Sequence, residues 1–173
     1  LALGFHDEAL IHLEEALAIY LKTFGPEHPF VGTGYNNLGN GYRNKGEYDK
    51  ALGHLKKGLV IYLKILGPEH PTVGQNYTTI GLVFLEKGEY DKAIEYLQKS
   101  LAIQLKTLDK NHSDIAYSYF FIGRSTAFVR KKNWRKNALN NLQKAKAIVV
   151  KQLLTDGSHQ MLKDIQFWID ETN

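Results

Sequence analysis

Histidine is the first residue type in this chain that could do chemistry. Three of its seven histidines keep one interval: His28, His70 and His112 stand forty-two residues apart. The first two sit inside an identical phrase, Gly-Pro-Glu-His-Pro, at 25–29 and 67–71, and the third inside a degraded copy, Asp-Lys-Asn-His-Ser, at 109–113. Imidazole is a common metal ligand, so a metal site is the first chemistry to weigh. The spacing excludes a shared ion. Histidines separated by a helix pair stand at least one helix spacing of about 8–10 Å apart, whereas ligands of one zinc converge to about 2 Å from it. No metal and no other cofactor is expected. Glu47 with Asp49, and Glu89 with Asp91, are carboxylate pairs at the same interval. At the start of a helix they complement its dipole rather than act as acid and base. There is no glycine-rich phosphate loop, no nucleophile elbow and no zincin motif, so an enzyme is not expected.

The cationic residues are the second candidate for chemistry. Residues 104–151 hold 11 Lys and Arg against 2 Asp and Glu, while 1–103 hold 10 against 12. Arg130, Lys131, Lys132, Arg135 and Lys136 surround Trp134, and Lys144, Lys146 and Lys151 follow. Such a surface could meet nucleic acid or anionic lipid. A lone Trp134 offers one stacking platform, however, and it takes the place of Tyr48 and Tyr90 of the repeat, where packing in the core is the ordinary outcome. An acidic protein partner fits the stretch better than nucleic acid does. The absence of cysteine removes disulfides, thiolate metal sites and cysteine nucleophiles together, and fits a reducing, cytoplasmic compartment. No apolar run approaches the roughly 18 residues of a membrane span.

The elements that carry these residues follow from the repeat. Sliding the chain by forty-two residues superposes Gly-Glu-Tyr-Asp-Lys-Ala at 46–51 on the same six residues at 88–93. Tyr35, Tyr77 and Tyr119 share a column, as do Gly39, Gly81 and Gly123. Apolar or small residues at Ala51, Leu52, Leu55, Gly58, Leu59 and Tyr62 make one stripe of an α-helix. A second helix runs from about Pro71 to Lys87. Each unit is thus two antiparallel helices, and the recurring phrase is punctuation between units. Gly25 and Gly67 stand just past a helix end, where positive φ is wanted. His28 and His70 precede proline and are driven toward the extended geometry of an N-cap. Pro29 and Pro71 then occupy the first helical position.

These residues resemble a tetratricopeptide repeat. Tyr35, Leu38, Gly39 and Tyr42 match the pattern of that family's first helix, and Gly46, Tyr48, Ala51, Leu55 and Gly58 that of its second. The next unit matches with Tyr77, Ile80, Gly81, Phe84, Gly88, Tyr90, Ala93, Leu97 and Ser100. The third keeps Tyr119, Ile122, Gly123, Ala138, Leu142 and Ala145, departs at Thr126 and Trp134, and carries three inserted residues between Gly123 and Ala138. The period is longer than the usual one and resembles the subclass found in kinesin light chains. The resemblance implies an all-α, right-handed α-solenoid of antiparallel helix pairs in a single domain. Residues 1–24 would be the second helix of a leading half-repeat. Repeats would follow at 25–66, 67–108 and 109–154, with a capping segment at 155–173 whose helix is read over 158–171 from Ser158 as N-cap and from the apolar face of Met161, Leu162, Ile165, Trp168 and Ile169.

In such a solenoid the first helices line a concave groove. The residues on that face are Asn36, Asn37, Asn40, Arg43 and Asn44 in the first repeat. They are Gln75, Thr78, Thr79 and Leu82 in the second, and Tyr117, Phe120, Phe121 and Arg124 in the third. Amides carry donors and acceptors that suit a peptide backbone; aromatic rings beside Arg124 suit an apolar or acidic anchor. The family resemblance implies cargo-peptide contacts at Asn36 and Asn37. The expected function is therefore a non-catalytic scaffold that binds a linear peptide or helix of a protein partner. Self-association into a homodimer through the leading half-repeat is the alternative, and a basic platform over 130–151 is another.

Overall fold

The computed structural model describes residues 2–152 and 159–172, with side chains described over 7–152 and 160–172. Among these residues it holds eight helices and no strand. They are α1 (Ala2–Phe24), α2 (Pro29–Asn44), α3 (Tyr48–Leu66), α4 (Pro71–Glu86), α5 (Tyr90–Thr107), α6 (Ser113–Val129), α7 (Trp134–Gln152) and α8 (His159–Thr172). The chain divides into two compact units, Leu1–Val83 and Phe84–Asn173, with α4 running across the boundary. The expected cap Ser158 lies outside the described residues.

The punctuation works as the local chemistry dictates. Gly25 and Gly67 take φ of +80° and +83°, which closes the preceding helix without a Cβ penalty. His28 is extended at φ −83°, ψ 144°, and its Nδ1 accepts the Phe30 N–H at 3.2 Å. His70 and His112 accept the N–H groups of Thr72 and Asp114 at the same distance. An accepting Nδ1 carries no proton, so each imidazole is committed to satisfying an orphan donor of its helix. Between the helices of a repeat the stop is a Schellman turn. Glu47 N–H reaches Tyr42 O at 2.9 Å and Gly46 N–H reaches Arg43 O at 2.9 Å; Glu89 and Gly88 do the same one repeat on. The three-residue insertion breaks this device. Where the other repeats use one glycine, Arg130 and Asn133 hold left-handed φ of 50° and 62°, a strain of about 1–2 kcal/mol each for residues with a Cβ.

In the first unit α1 packs on α2 and α2 on α3. Leu10, Leu17, Val31 and Leu38 form its buried centre, with Tyr35, Tyr42 and Ile61 packed around them. In the second unit α6 lies against both α5 and α7, and α7 against α8. Ile115, Leu142, Val149 and Ile165 are wholly buried there. The column of small residues has a steric reason. A Cβ on Gly39 would stand 2.5 Å from Leu55 Cγ, and one on Gly123 would stand 2.9 Å from Leu142 Cγ. The register of the repeat thus places a leucine of the second helix over a glycine of the first.

Candidate peptide-interaction site

The first-helix residues of the first unit divide into held and free. Asn36 is half-buried, and its Oδ1 accepts from Asn76 Nδ2 at 2.9 Å. Asn76 is wholly buried, with Oδ1 lacking a partner among the described residues. Asn37, Asn44 and Gln75 are exposed; Asn40, Arg43, Thr78, Thr79 and Leu82 are half-buried. The hydroxyls of Thr78 and Thr79 turn back to the carbonyls of Gly74 and Gln75, at 3.3 and 3.2 Å. Thr33 is also tied, donating to Pro29 O and accepting from the Tyr62 hydroxyl at 3.1 Å.

Electrostatics stiffen the same unit away from this face. Lys45 bridges Asp7 at 2.7 Å and Glu47 at 2.8 Å, which raises its pKa above the ordinary lysine value. The bonds from Lys45 and Lys50 hold the Glu47 carboxyl below the usual range. Tyr42, raised by burial and by donating to Glu14 at 3.1 Å, stacks on His54 at 5.2 Å between centroids. Burial, with Lys57 nearby, lowers the His54 pKa from 6.5.

In the second unit the structure brings Tyr117, Phe120, Phe121 and Arg124 together. They line one side of a cavity of about 440 Å³, and α8 supplies the other side through Met161, Asp164, Phe167 and Trp168. Phe120 is buried at 7% exposure and belongs to the core as much as to the cavity, whereas Tyr117 is 45% and Phe167 57% exposed. The Arg124 guanidinium lies 5.6 Å over the Trp168 ring. Its Nε is buried with no hydrogen-bond partner among the described residues. Asp164 accepts from Gln160 at 2.9 Å. The helix read from the sequence only as a cap is therefore a wall of this cavity. The apolar stripe of Met161, Leu162, Ile165, Trp168 and Ile169 announced that α8 packs, but not which residues of α6 it faces. Asn76 was missed because its column holds Gly34 and Ser118, and a glycine–asparagine–serine column reads as close packing rather than as a polar contact.

The basic stretch is arranged differently from a free charge cluster. Lys131 pairs with Asp91 at 2.7 Å. Trp134 is half-buried rather than in the core, with the guanidiniums of Arg130 and Arg135 lying 5.5 and 5.4 Å from its ring centroid. Lys132 and Lys136 are exposed. Among the described residues no group of three or more histidines and carboxylates could hold a metal, and no helix is long and apolar enough to cross a membrane.

Known structures share this helical-repeat fold. A single-residue variant of a kinesin light chain-type protein of Podosopora anserina, with nearly identical TPR-like repeats, superposes with a TM-score of 0.80 at 25% identity. That match covers 98% of this chain and 77% of the other. BtubC (BKLC) from P. vanneervenii superposes at 0.77 with 21% identity, over 86% and 58% of the two chains. The yeast histone chaperone Hif1, a scaffold protein recruiting protein complexes to core histones, reaches 0.67 at 16% identity, over 96% and 94%. No curated protein matches the sequence. The tetratricopeptide repeat model matches three overlapping stretches, 1–64, 30–106 and 76–149. With helix pairs, glycine columns and turn chemistry all in the register of that repeat, the chain belongs to the tetratricopeptide repeat family.

Proposed function

We propose that this chain is a non-catalytic protein-interaction module whose first-helix faces take linear segments of a partner. In the second unit the seat is the cavity between α6 and α8. The observation that carries the reading is Arg124. Its Nε is buried without an acceptor among the described residues, and leaving such a donor unsatisfied costs about 1–3 kcal/mol. A carbonyl or carboxylate brought by a ligand removes that penalty. The exposed rings of Tyr117 and Phe167 flank the same cavity and would cover an apolar anchor. In the first unit the exposed amides of Asn37 and Asn44 can pair with peptide main chain, and the bond from Asn76 fixes the orientation of Asn36. Hif1, a scaffold of the same fold, lends the general class its support.

The test is selection of dodecapeptides from a displayed random library on the purified chain, followed by titration of the enriched peptides against Trp168 fluorescence in the Trp134→Phe protein. Arg124→Met keeps the apolar stem and removes the donors; it should weaken binding by about 5- to 150-fold, the equivalent of 1–3 kcal/mol. Peptides that change Trp168 emission and yet bind R124M as well as the parent would sink the proposal. Self-association is a second reading, because Ile11 and Ile19 on α1 are 56% and 62% exposed. Light scattering across a range of concentrations decides it, and a concentration-independent monomer removes it.

A further inference from the structure

α6 also lines a second cavity on its other flank. Tyr117, Phe121 and Arg124 face α8, whereas Ile122, Thr126 and Val129 help form a cavity of about 290 Å³ with α5 and α7. Its lining combines the aliphatic side chains of Ile94, Ile122 and Val129 with the amides of Gln98, Asn140 and Asn141. This cavity shares Asp91, Val129 and Lys131 with a neighbouring one of about 440 Å³. It also shares Asn137 and Asn140 with a third, of about 670 Å³. Three depressions joined through common residues make a track, which suits an extended chain better than a small molecule.

The charge of the track has one sign to spare. From 115 to 155 the sequence holds nine Lys and Arg and no Asp or Glu. The acids that border the track are already engaged: Glu89 by Lys87 and Lys92, Asp91 by Lys131. Lys132 and Lys136 have no side-chain partner among the described residues. The Asp91–Lys131 pair is 63% and 71% exposed at its side chains, so it is a weak, solvent-screened pair that yields readily to a competing carboxylate. Nucleic acid fits less well. Trp134 already carries two guanidiniums over its ring, whereas a base needs an open aromatic face to stack on. The lining amides instead match the alternating donors and acceptors of a peptide main chain.

We infer that the track between α5 and α7 is a second binding site, and that its occupant is an extended acidic peptide segment with an aliphatic residue for the central cavity. Lys131 and Lys132 receive its carboxylates, Asn137, Asn140 and Asn141 its main chain, and Ile94, Ile122 and Val129 its apolar side chain. The site is independent of the cavity between α6 and α8. The two tryptophans of the chain report them separately, Trp134 here and Trp168 there.

The probe is the capped peptide EEDELDEED, titrated into the Trp168→Phe protein so that Trp134 alone emits. The same peptide carrying fluorescein is titrated by anisotropy into the unaltered chain. A saturable response in both is expected, lost when every acidic residue of the peptide is replaced by its amide. Lys132→Glu should weaken binding by at least about tenfold, as loss of a charge-assisted contact does. Asn140→Phe fills the middle of the track from an exposed helical position and should weaken it comparably without disturbing the circular dichroism. The inference is overturned if the peptide gives no response, or if N140F binds it unchanged, because a diffuse charge effect needs no cavity. It is also overturned if a dodeca-uridylate RNA binds more tightly with a steep salt dependence.

Discussion

Two glycines in α3 separate what the repeat pattern implies from what the packing requires. The column of Gly58 holds Ala16, Ser100 and Ala145 in the other units, so the pattern alone says that Gly58→Ala is harmless. The helix itself says it is favourable, since alanine in a helix interior is better than glycine by about 1 kcal/mol. The contact says otherwise. A Cβ at 58 would stand 2.9 Å from the carbonyl oxygen of Gly32 and 3.6 Å from Asn36 N. Optimal heavy-atom separations begin near 3.5 Å, so the helices must part by about half an ångström. The obstacle is backbone and cannot rotate away, and overpacking of this kind costs about 1–3 kcal/mol. Net of propensity, G58A should range from neutral to about 2 kcal/mol destabilising. Gly53 is the internal control: it is exposed on the same helix, with nothing within 4 Å of a built Cβ. Gly53→Ala should therefore stabilise by about 1 kcal/mol. Urea titrations and thermal melts followed by circular dichroism compare the two, at about 2–4 °C per kcal/mol for a chain of this size. Amide exchange over α2 and α3 localises the change. If G58A stabilises as much as G53A, the close approach of α2 and α3 is wrong and the column pattern is the better guide.

Two further predictions rest on histidines. His54 has its pKa lowered by burial, and its Nδ1 is buried without a partner among the described residues. Just below pH 6.5 the unfolded chain therefore binds more protons at this position than the folded one. Its contribution to stability is present above that pH and lost as pH falls through the lower folded value. His54→Tyr, the residue found at the matching position 96, where Tyr96 stacks on Phe84 at 5.4 Å, should flatten the loss of stability between pH 7 and 5. An unchanged pH profile in H54Y would remove His54 as its source. The caps at His28 and His70 each satisfy one helix N–H, so His28→Ala and His70→Ala should each destabilise by about 0.5–2 kcal/mol. The double variant should come close to the sum. Asparagine at either position should restore most of the loss; variants indistinguishable from the parent in denaturant would show that the caps carry no weight.

Much of the local structure could be read from residues alone. The positive φ at Gly25 and Gly67, the N-caps at His28 and His70 and the proline starts of α2 and α4 depend only on backbone sterics within five residues. A strict interval supplies the helix pairing, because each unit must bury the same stripe against the next. The groove candidates were legible as a helical face, yet their states were not. Nothing local tells that Asn36 is held by a residue forty positions on, that Phe120 is nearly closed off, or that Trp134 is capped by two guanidiniums.

What the sequence determined by itself is whatever sterics, capping and periodicity settle over short spans: eight helical segments, their turns and the column of small residues beneath the leucines. Tertiary structure alone decided which surfaces become cavities. A cavity is the gap left where several helices fail to fill the space between them, and its size depends on distances set by all of them at once. So α8, legible as an amphipathic cap, turned out to wall the cavity around Arg124. The three-residue insertion, legible only as a basic loop, turned out to border a cavity lined by α5, α6 and α7. The residues were in plain view, and the separations between them were not.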